Sequence, residues 1–329
     1  MTLPRRQFLR LAAAIGALPG LSRAVFAETF PSRRITLVVP FAPGALNDII
    51  ARLLGEGLRA PLGQPVIVEN VSGADGTIGA GRVAHAAPDG YTLLVASWNT
   101  QVANGAIYAL DYDMVKDFAP VVLLPDAPMA LIARKDIPAN DLKEFIAWLK
   151  ANPDKASMGT AGVGSAPHML SLLFAKDTDT RFGLVAYRGA GPAMQDVIAG
   201  HIDATFITIA AALPQVRSGT VKVFGITARQ RMASAPEIPT MDEAGLREFY
   251  FPYWAALFAP RGTPRDVIDK LNAAVLATLR DPSMRQKLDA DGFEMPPPGQ
   301  ETPEALAAFQ KAEIDKWWPI IKAAGIKAN

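Results

Sequence analysis

The segment 35–58 constrains the fold most, because it joins a buried strand, a tight turn and a helix start. Its first five residues form an apolar run rich in β-branched side chains, which is typical of a strand inside a parallel sheet. Pro43 and Gly44 end that run, and Asn47 or Asp48 can cap a helix whose apolar residues recur at helical spacing. The backbone N–H groups of such a turn can hold an anion, carboxylates included. The segment is therefore either an ordinary strand–helix turn or a carboxylate-binding loop.

The same arrangement recurs along the chain. In the first half, predicted strands end at a glycine turn, 71–79, and at a polar run, 97–100. In the second half, they end at 160–168, 187–190 and 207–208. Open α/β sheets bind their ligands at the carboxyl ends of the strands. A chain of 329 residues, 50% of them hydrophobic, can form two lobes with separate cores, so we predict a two-lobed α/β protein.

Residues 1–27 are predicted to be an export signal that is removed near Ala27. Adjacent Arg5 and Arg6, followed by an apolar stretch, resemble a twin-arginine signal. The alternative is a general secretory signal that contains two arginines. The apolar core of this leader is too short to span a bilayer. We therefore expect a periplasmic protein.

The amino-acid composition excludes several classes of function. The sequence has no cysteine, which excludes disulfides, a thiol nucleophile, cysteine-ligated metals and a lipid-modified N-terminal cysteine. The whole chain has 33 basic and 32 acidic residues, and the leader contributes arginines but no acid. The chain beyond the leader is therefore weakly acidic, and nothing indicates a nucleic-acid partner.

Enzymatic chemistry finds little support in the sequence. The histidines, His85, His168 and His201, lack metal-ligand spacing. The run GVGSA at 162–166 resembles a nucleophile elbow, but Ala166 stands where that motif has its second glycine. Neither a dinucleotide fingerprint nor a phosphate loop is present. We predict no catalysis, no metal and no cofactor, and an exported enzyme is the less favoured alternative.

Short stretches spread over nearly the whole chain beyond the leader form a specific pattern through their order and spacing. They are 31–35 (PSRRI), 40–44 (PFAPG) with Asp48, 62–66 (LGQPV), 87–93 (APDGYTL), 116–121 (KDFAPV), 187–189 (YRG) with 192–193 (PA), 213–214 (LP), 238–240 (IPT), 243–245 (EAG) and 259–264 (APRGTP). The pattern resembles the extracytoplasmic solute-binding proteins of tripartite tricarboxylate transporters, the Bug or TctC family.

The resemblance implies a two-lobed periplasmic binding protein fold, a Venus flytrap of type II-like topology. Each lobe is then a mostly parallel sheet flanked by helices, and two crossovers join the lobes. The approximate lobes are 28–125 with 255–329, and 126–254, with hinges at 123–134 and 250–259. The implied function is capture of a small carboxylate in the interlobe cleft and delivery to membrane permease subunits by a monomer. The alternative is a subunit that reports its ligand to a membrane signalling partner.

In the family, strand–helix loops hold the carboxylate, largely through backbone donors and ordered water. The resemblance implies first-lobe ligand contacts from Phe41, Ala42, Pro43, Gly44, Ala45, Leu46, Asn47, Asp48, Ala74, Gly76, Thr77, Ile78, Ser97, Trp98 and Thr100. In the second lobe it implies contacts from Thr160, Gly162, Gly164, Ser165, His168, Tyr187, Gly189, Ala190, Ile207 and Thr208.

The sequence departs from the family pattern at two of these loops. The first reads ALND at 45–48, where the family has glycines and a small polar residue before the aspartate, and another reads IT at 207–208 in place of Asp-Asn. Without that acid a ligand amino group is disfavoured, and Leu46, Ile207 and Trp98 would make the pocket apolar. We expect a carboxylate with an apolar or aromatic body rather than an amino acid or a citrate-like triacid. The alternative is that Leu46 turns outward and Trp98 packs in the core.

Overall fold

The computed structural model describes residues 29–153, 155–187 and 189–327, so the predicted export signal and its cleavage site lie outside the described residues. The strands are β1 (Ile35–Val39), β2 (Val66–Asn70), β3 (Thr92–Ser97), β4 (Phe118–Leu123), β5 (Ala127–Arg134), β6 (Ser157–Thr160), β7 (Gly183–Ala186), β8 (Ala204–Thr208), β9 (Val221–Ile226), β10 (Pro252–Tyr253) and β11 (Ala255–Pro260). The α-helices are α1 (Leu46–Gly57), α2 (Arg59–Leu62), α3 (Thr77–Ala84), α4 (Asn104–Ile107), α5 (Leu142–Ala151), α6 (Ala166–Thr178), α7 (Ala190–Ala199), α8 (Ile209–Arg217), α9 (Arg265–Arg280), α10 (Pro282–Ala290) and α11 (Pro303–Ala323). A 3₁₀ turn spans Ala74–Gly76 and a π-helical turn spans Asn99–Ala103. None of the described helices is both long and apolar enough to cross a membrane.

The first sheet contains the opening strand. Its order is β2-β1-β3-β11-β4. β1 runs parallel to β2 and β3, whereas β11 runs antiparallel to β3 and β4. The carboxyl ends of β1, β2 and β3 therefore lie at one edge of the sheet, where the sequence predicted the ligand-binding loops.

The second sheet has the order β10-β5-β8-β6-β7, with β9 paired to β5. β6 runs parallel to β7 and β8, and β5 runs antiparallel to β8, β9 and β10. The predicted fold class is confirmed, with two helix-flanked sheets. Each sheet is mixed, because β11 in the first and β5 in the second run against their neighbours.

Helix α1 shows why the opening segment folds as it does. Ile50 and Leu54 recur at helical spacing and are fully buried. They pack in one apolar cluster with Leu37 and Val39, alternate residues of β1 that point to the same face of the sheet. The helical period of α1 and the twofold period of β1 thus meet in the same core, and the turn between them is left at the surface.

The chain crosses from the first sheet to the second between β4 and β5, and returns between β10 and β11. A further link joins the first crossover to the segment after α10. The backbones of Asp126 and Glu294 exchange two N–H···O hydrogen bonds of 2.9 Å. The two predicted crossovers are thus present, and the first is braced by a third segment.

An aromatic cluster fills the junction between the two sheets. Trp98 follows β3, Phe251 precedes β10 and Trp317 lies on α11, and all three are fully buried. Their rings meet edge to face, with centroids 5.0, 5.2 and 5.2 Å apart. Such pairs contribute about 1 kcal/mol each beyond the area they bury. The junction is therefore a packed core.

Candidate functional site

Helix α1 begins at Leu46, directly after the exposed turn 42–44. Ala45 occupies its N-cap position and makes no side-chain cap hydrogen bond. The first-turn N–H groups of Leu46 and Asn47 have no hydrogen-bond partner among the described residues. The prediction that Asn47 or Asp48 caps this helix is wrong, because both side chains make other contacts. The helix therefore presents two unpaired backbone donors at the end of β1.

Asp48 holds the turn before α1 in shape. Its Oδ2 accepts hydrogen bonds of 2.9 Å from the backbone N–H of Gly44 and from Arg52 Nε. Its Oδ1 accepts hydrogen bonds of 2.9 Å from Arg52 Nη2 and Asn70 Nδ2. Burial raises the pKa of this carboxyl, but the hydrogen bonds from Arg52, Gly44 and Asn70 outweigh burial and lower it. Both oxygens are fully engaged, so Asp48 shapes the loop through its neighbours.

Asn47 ties the start of α1 to the end of β3. Its side chain is 2% exposed, and Nδ2 donates to the carbonyls of Ala96 at 2.8 Å and Val95 at 3.3 Å. The chain then turns at Ser97, whose N–H donates to Thr100 Oγ1 at 3.0 Å. The hydroxyl of Thr100 donates back to the Ser97 carbonyl at 3.1 Å. These bonds fix the strand end beside the first turn of α1.

Gly76 brings three predicted loops together. It adopts φ +88°, and a Cβ at this position would lie 2.7 Å from Thr100 Cγ2 and 3.2 Å from Cζ of Phe41. A side chain therefore does not fit without displacing its neighbours. The loops that follow β1, β2 and β3 are in van der Waals contact around this glycine.

Asp75, which the sequence analysis did not select, lies at the same place. Its Oδ2 accepts a hydrogen bond of 2.8 Å from Asn99 Nδ2, and its carbonyl accepts one of 2.9 Å from Asn104 Nδ2. Burial raises the pKa of Asp75 to about 6, although the Asn99 bond lowers it. Burial and the nearby Asp75 charge also raise the pKa values of the Tyr108 and Tyr253 hydroxyls. An acid in a glycine-rich turn suggests an exposed residue in sequence, and only the convergence of three loops makes Asp75 half-buried.

The residues expected to make the pocket apolar pack largely elsewhere. Trp98 is fully buried in the aromatic junction, and Ile207 is 2% exposed in the core of the second sheet. Leu46 is partly buried against the core of the first sheet. The alternative in which Trp98 packs in the core therefore holds. Exposed apolar side chains at the loops come instead from Ile78 and Val163, which are 56% and 58% exposed.

The loop between β6 and α6 is closed by its own hydrogen bonds. Ser165 Oγ donates to the Gly162 carbonyl at 2.7 Å, and the Gly162 N–H donates to Thr160 Oγ1 at 3.4 Å. The Gly164 N–H donates to His168 Nδ1 at 2.9 Å. Because Nδ1 accepts, the neutral ring carries its proton on Nε2, and burial lowers the pKa of His168. His168 is therefore a neutral donor at neutral pH.

This second-sheet loop touches the first half of the molecule. A Cβ on Gly164 would lie 2.7 Å from Ile107 Cδ1, at the end of α4. On the other side, the Tyr187 N–H donates to the Thr160 carbonyl at 3.0 Å, and its hydroxyl donates to Asp196 Oδ2 at 2.5 Å. The loops after β6 and β7 are thus neighbours, as the loops of the first sheet are.

The remaining predicted positions divide by exposure. Exposed or half-buried at the first-sheet loops are Phe41, Ala42, Pro43, Gly44, Ala45, Leu46, Ala74, Thr77 and Ile78, whereas Asn47, Asp48, Gly76, Ser97, Trp98 and Thr100 are buried. At the second-sheet loops Gly162, His168, Tyr187, Gly189, Ala190 and Thr208 are half-buried, whereas Thr160, Gly164, Ser165 and Ile207 are buried.

Comparisons with known proteins agree with this architecture. The family described as "Tripartite tricarboxylate transporter family receptor" matches residues 50–326. The solved periplasmic binding protein BugD is 36% identical to this chain, with a TM-score of 0.79. The match covers 91% of this chain and 100% of BugD. MatC from Rhodopseudomonas palustris with bound malate is 41% identical, with a TM-score of 0.78 over 89% of this chain and 100% of MatC. An R. palustris protein solved with adipate is 31% identical, with a TM-score of 0.81 over 91% of this chain and 100% of that protein.

Proposed function

The chain belongs to the tripartite tricarboxylate transporter receptor family, and on that premise we propose that it captures a small carboxylate and delivers it to membrane permease subunits. Its structural neighbours are solute-binding proteins, and we propose that it catalyses no reaction. The ligand lies between lobes 28–125 with 255–329 and 126–254. The protein acts as a monomer in the periplasm, after removal of its export signal.

The observation that carries this proposal is the uncapped start of α1. Two first-turn N–H groups, those of Leu46 and Asn47, have no partner among the described residues, and the exposed turn 42–44 leaves their surroundings open. A carboxylate can accept from both and gains from the positive end of the helix dipole. Malate and adipate, which two structural neighbours hold, are small carboxylates of the class proposed here.

The body of the ligand is proposed to be partly apolar. Support comes from Ile78, at the start of α3, and Val163, on the loop after β6; each is more than half exposed. Apolar ligand surface would cover such side chains, at about 25 cal/mol per Å² removed from water. Trp98 and Ile207 no longer support this part of the proposal, since both are buried in the core.

Removing a single backbone N–H group tests the proposed carboxylate contact. Leu46→Pro removes one first-turn N–H, and proline suits the first position of a helix. Ala45 has φ −69° and ψ 159°, an extended conformation that a following proline requires. Leu46→Ala is the matched control, because it shortens the side chain and keeps the N–H.

Thermal shifts with aromatic acids, aliphatic diacids, citrate and acidic amino acids first identify a binder, and calorimetry then compares the variants. A ligand at a thousand times its Kd should raise the free energy of unfolding by about 4 kcal/mol. Leu46→Pro should weaken binding at least about tenfold beyond Leu46→Ala, as expected for one hydrogen bond to a charged group. Equal affinities of the two variants would show that α1 does not hold the carboxylate.

A further inference from the structure

Asp75 is a carboxylate without a cationic partner in the first half of the proposed site. Its Oδ2 receives one hydrogen bond, from Asn99 Nδ2, and its Oδ1 receives none from the described residues. No described lysine, arginine or histidine pairs with it, and the titratable groups that sense its charge are the hydroxyls of Tyr108 and Tyr253. Both hydroxyls are neutral at physiological pH. The negative charge of Asp75 is therefore uncompensated within the described chain.

The backbone around Asp75 is also unusual. Ala74 and Asp75 have φ values of +44° and +52°, a region that non-glycine residues rarely adopt. The hydrogen bond from Asn104 Nδ2 to the Asp75 carbonyl holds this conformation. Strained backbone and a carboxyl whose pKa is shifted by desolvation both concentrate at functional sites. Gly73 and Gly76, on either side of the pair, also have positive φ, so the whole turn has an unusual backbone.

Asp75 lies next to the loops of the proposed carboxylate site. The next residue, Gly76, contacts Thr100 and Phe41, which lie on the loops that flank the unpaired N–H groups of α1. The proposed anion site thus has a negatively charged side chain on an adjoining loop. A ligand that is only a carboxylate would feel repulsion there, whereas a donor group on the ligand would pair with Asp75.

Resting on the proposed function, we propose that Asp75 makes the site selective for carboxylates that also carry a hydrogen-bond donor, an ammonium or a hydroxyl group. The donor fills the open side of Oδ1, and charge-assisted bonds of this kind are about twice as strong as neutral ones. A ligand without the donor leaves a desolvated carboxylate unpaired, which is the strongest basis for rejection in binding sites. Asp75 thereby supplies from the first sheet the acid whose loss at 207–208 had disfavoured amino-bearing ligands.

Two series of matched probes test the selectivity. Succinate, malate and aspartate share one skeleton and differ in carrying no donor, a hydroxyl or an ammonium group. The probes 3-phenylpropanoate, 3-phenyllactate and phenylalanine repeat the series on an aromatic body. Calorimetry on the full mature protein compares the wild type with Asp75→Asn, because asparagine tolerates positive φ. Asp111→Asn, an exposed acid in the same half of the molecule, is the matched control.

In at least one series, a donor-bearing probe should bind the wild type about tenfold or more tightly than the unsubstituted probe. Asp75→Asn should reduce that preference to less than about threefold, mainly by weakening the donor-bearing probe, while Asp111→Asn preserves it. A stronger response to the ammonium probe identifies amino acids as the ligand class, and a stronger response to the hydroxyl probe identifies hydroxy acids.

Three results would overturn the inference. If the unsubstituted acid binds as well as its substituted partners, or if the preference survives in Asp75→Asn, Asp75 does not select the ligand, and carboxylate capture still stands. If no carboxylate binds, neither these six acids nor those of the thermal-shift panel, the proposed function fails, and the inference fails with it. If only acids of that panel without a hydroxyl or ammonium group bind, the inference fails and carboxylate capture stands. Thermal unfolding of Asp75→Asn, measured alongside, identifies a variant that has not folded.

Discussion

Replacing Asp75 by asparagine should also change how the stability of the ligand-free protein depends on pH. Burial raises the pKa of Asp75 from 3.8 to about 6 in the folded protein. At about 1.4 kcal/mol for each pKa unit, this rise corresponds to about 3 kcal/mol of free energy of unfolding. The folded state thus favours the protonated acid, and the ionised, partly desolvated carboxylate lowers stability at neutral pH.

The direction of the pH dependence follows from the folded and unfolded pKa values of Asp75. The folded pKa is the higher one, so the stabilising contribution of protonated Asp75 is fully present below pH 3.8 and is lost as the pH rises through about 6. Asparagine does not titrate. Asp75→Asn should therefore exceed the wild type in free energy of unfolding by up to about 3 kcal/mol at pH 7 to 8. The two proteins should converge as the pH approaches 4.

Urea unfolding of both proteins across pH 4 to 8 measures this difference, and Asp111→Asn reports the effect of removing an exposed acid. The quantity of interest is the difference between variant and wild type at each pH, which cancels the titration of all other groups. A constant difference between Asp75→Asn and the wild type over the whole range would refute the argument, because it would mean that Asp75 titrates alike in the folded and unfolded chains.

Three further changes test the packing of the site and of the crossover. Gly76→Ala should lower the free energy of unfolding by about 2–4 kcal/mol, because the new Cβ would lie 2.7 Å from a methyl group of Thr100. The control Gly44→Ala has a similar φ of +83° but no atom within 4 Å, so it should cost only about 1 kcal/mol. Equal losses in urea unfolding would contradict this reasoning. Asn47→Ala should cost about 1–2 kcal/mol in the same assay, because two strand carbonyls lose their side-chain donor, and an unchanged midpoint would count against that role. Asp126→Asn should stabilise the protein at pH 8 and not at pH 4, because burial and the neighbouring Glu294 raise the pKa of Asp126. Identical changes in the free energy of unfolding at both pH values would exclude this cause.

The sequence sufficed for those features that depend on local periodicity. The apolar run of β1 and the helical spacing of Ile50 and Leu54 predicted a strand and a helix where the structure has them. The position of the helix cap was not predictable in this way. Asn47 and Asp48 are good capping residues by type, but Asn47 bonds to β3 and Asp48 bonds to Arg52. Those partners are 49 and 4 residues away, and nothing local identifies the distant one.

The direction in which side chains of the site point could not be predicted from the sequence, because it also depends on distant contacts. Trp98 follows a predicted strand end, and its neighbours in sequence are equally compatible with a ring that faces a ligand and a ring that packs in the core. In the structure its ring packs on Phe251 and Trp317, residues far along the chain, because the return crossover and α11 meet at this point. Asp75 shows the converse case. A polar turn residue becomes half-buried because the π-helical turn and the start of α4 bring Asn99 and Asn104 against it.

The polar side chains of the site divide into two groups with different consequences. Asn47, Asp48 and His168 bond to backbone groups or side chains of their own loop or of a neighbouring strand, and so determine where the backbone donors point. Asp75 alone among these residues has a carboxylate oxygen that accepts no hydrogen bond within the described chain. On the proposed function, affinity for any carboxylate depends on loop geometry, whereas discrimination between carboxylates depends on Asp75. Exchanging Asn47 or Asp48 should therefore weaken all carboxylate ligands together, and exchanging Asp75 should change their order.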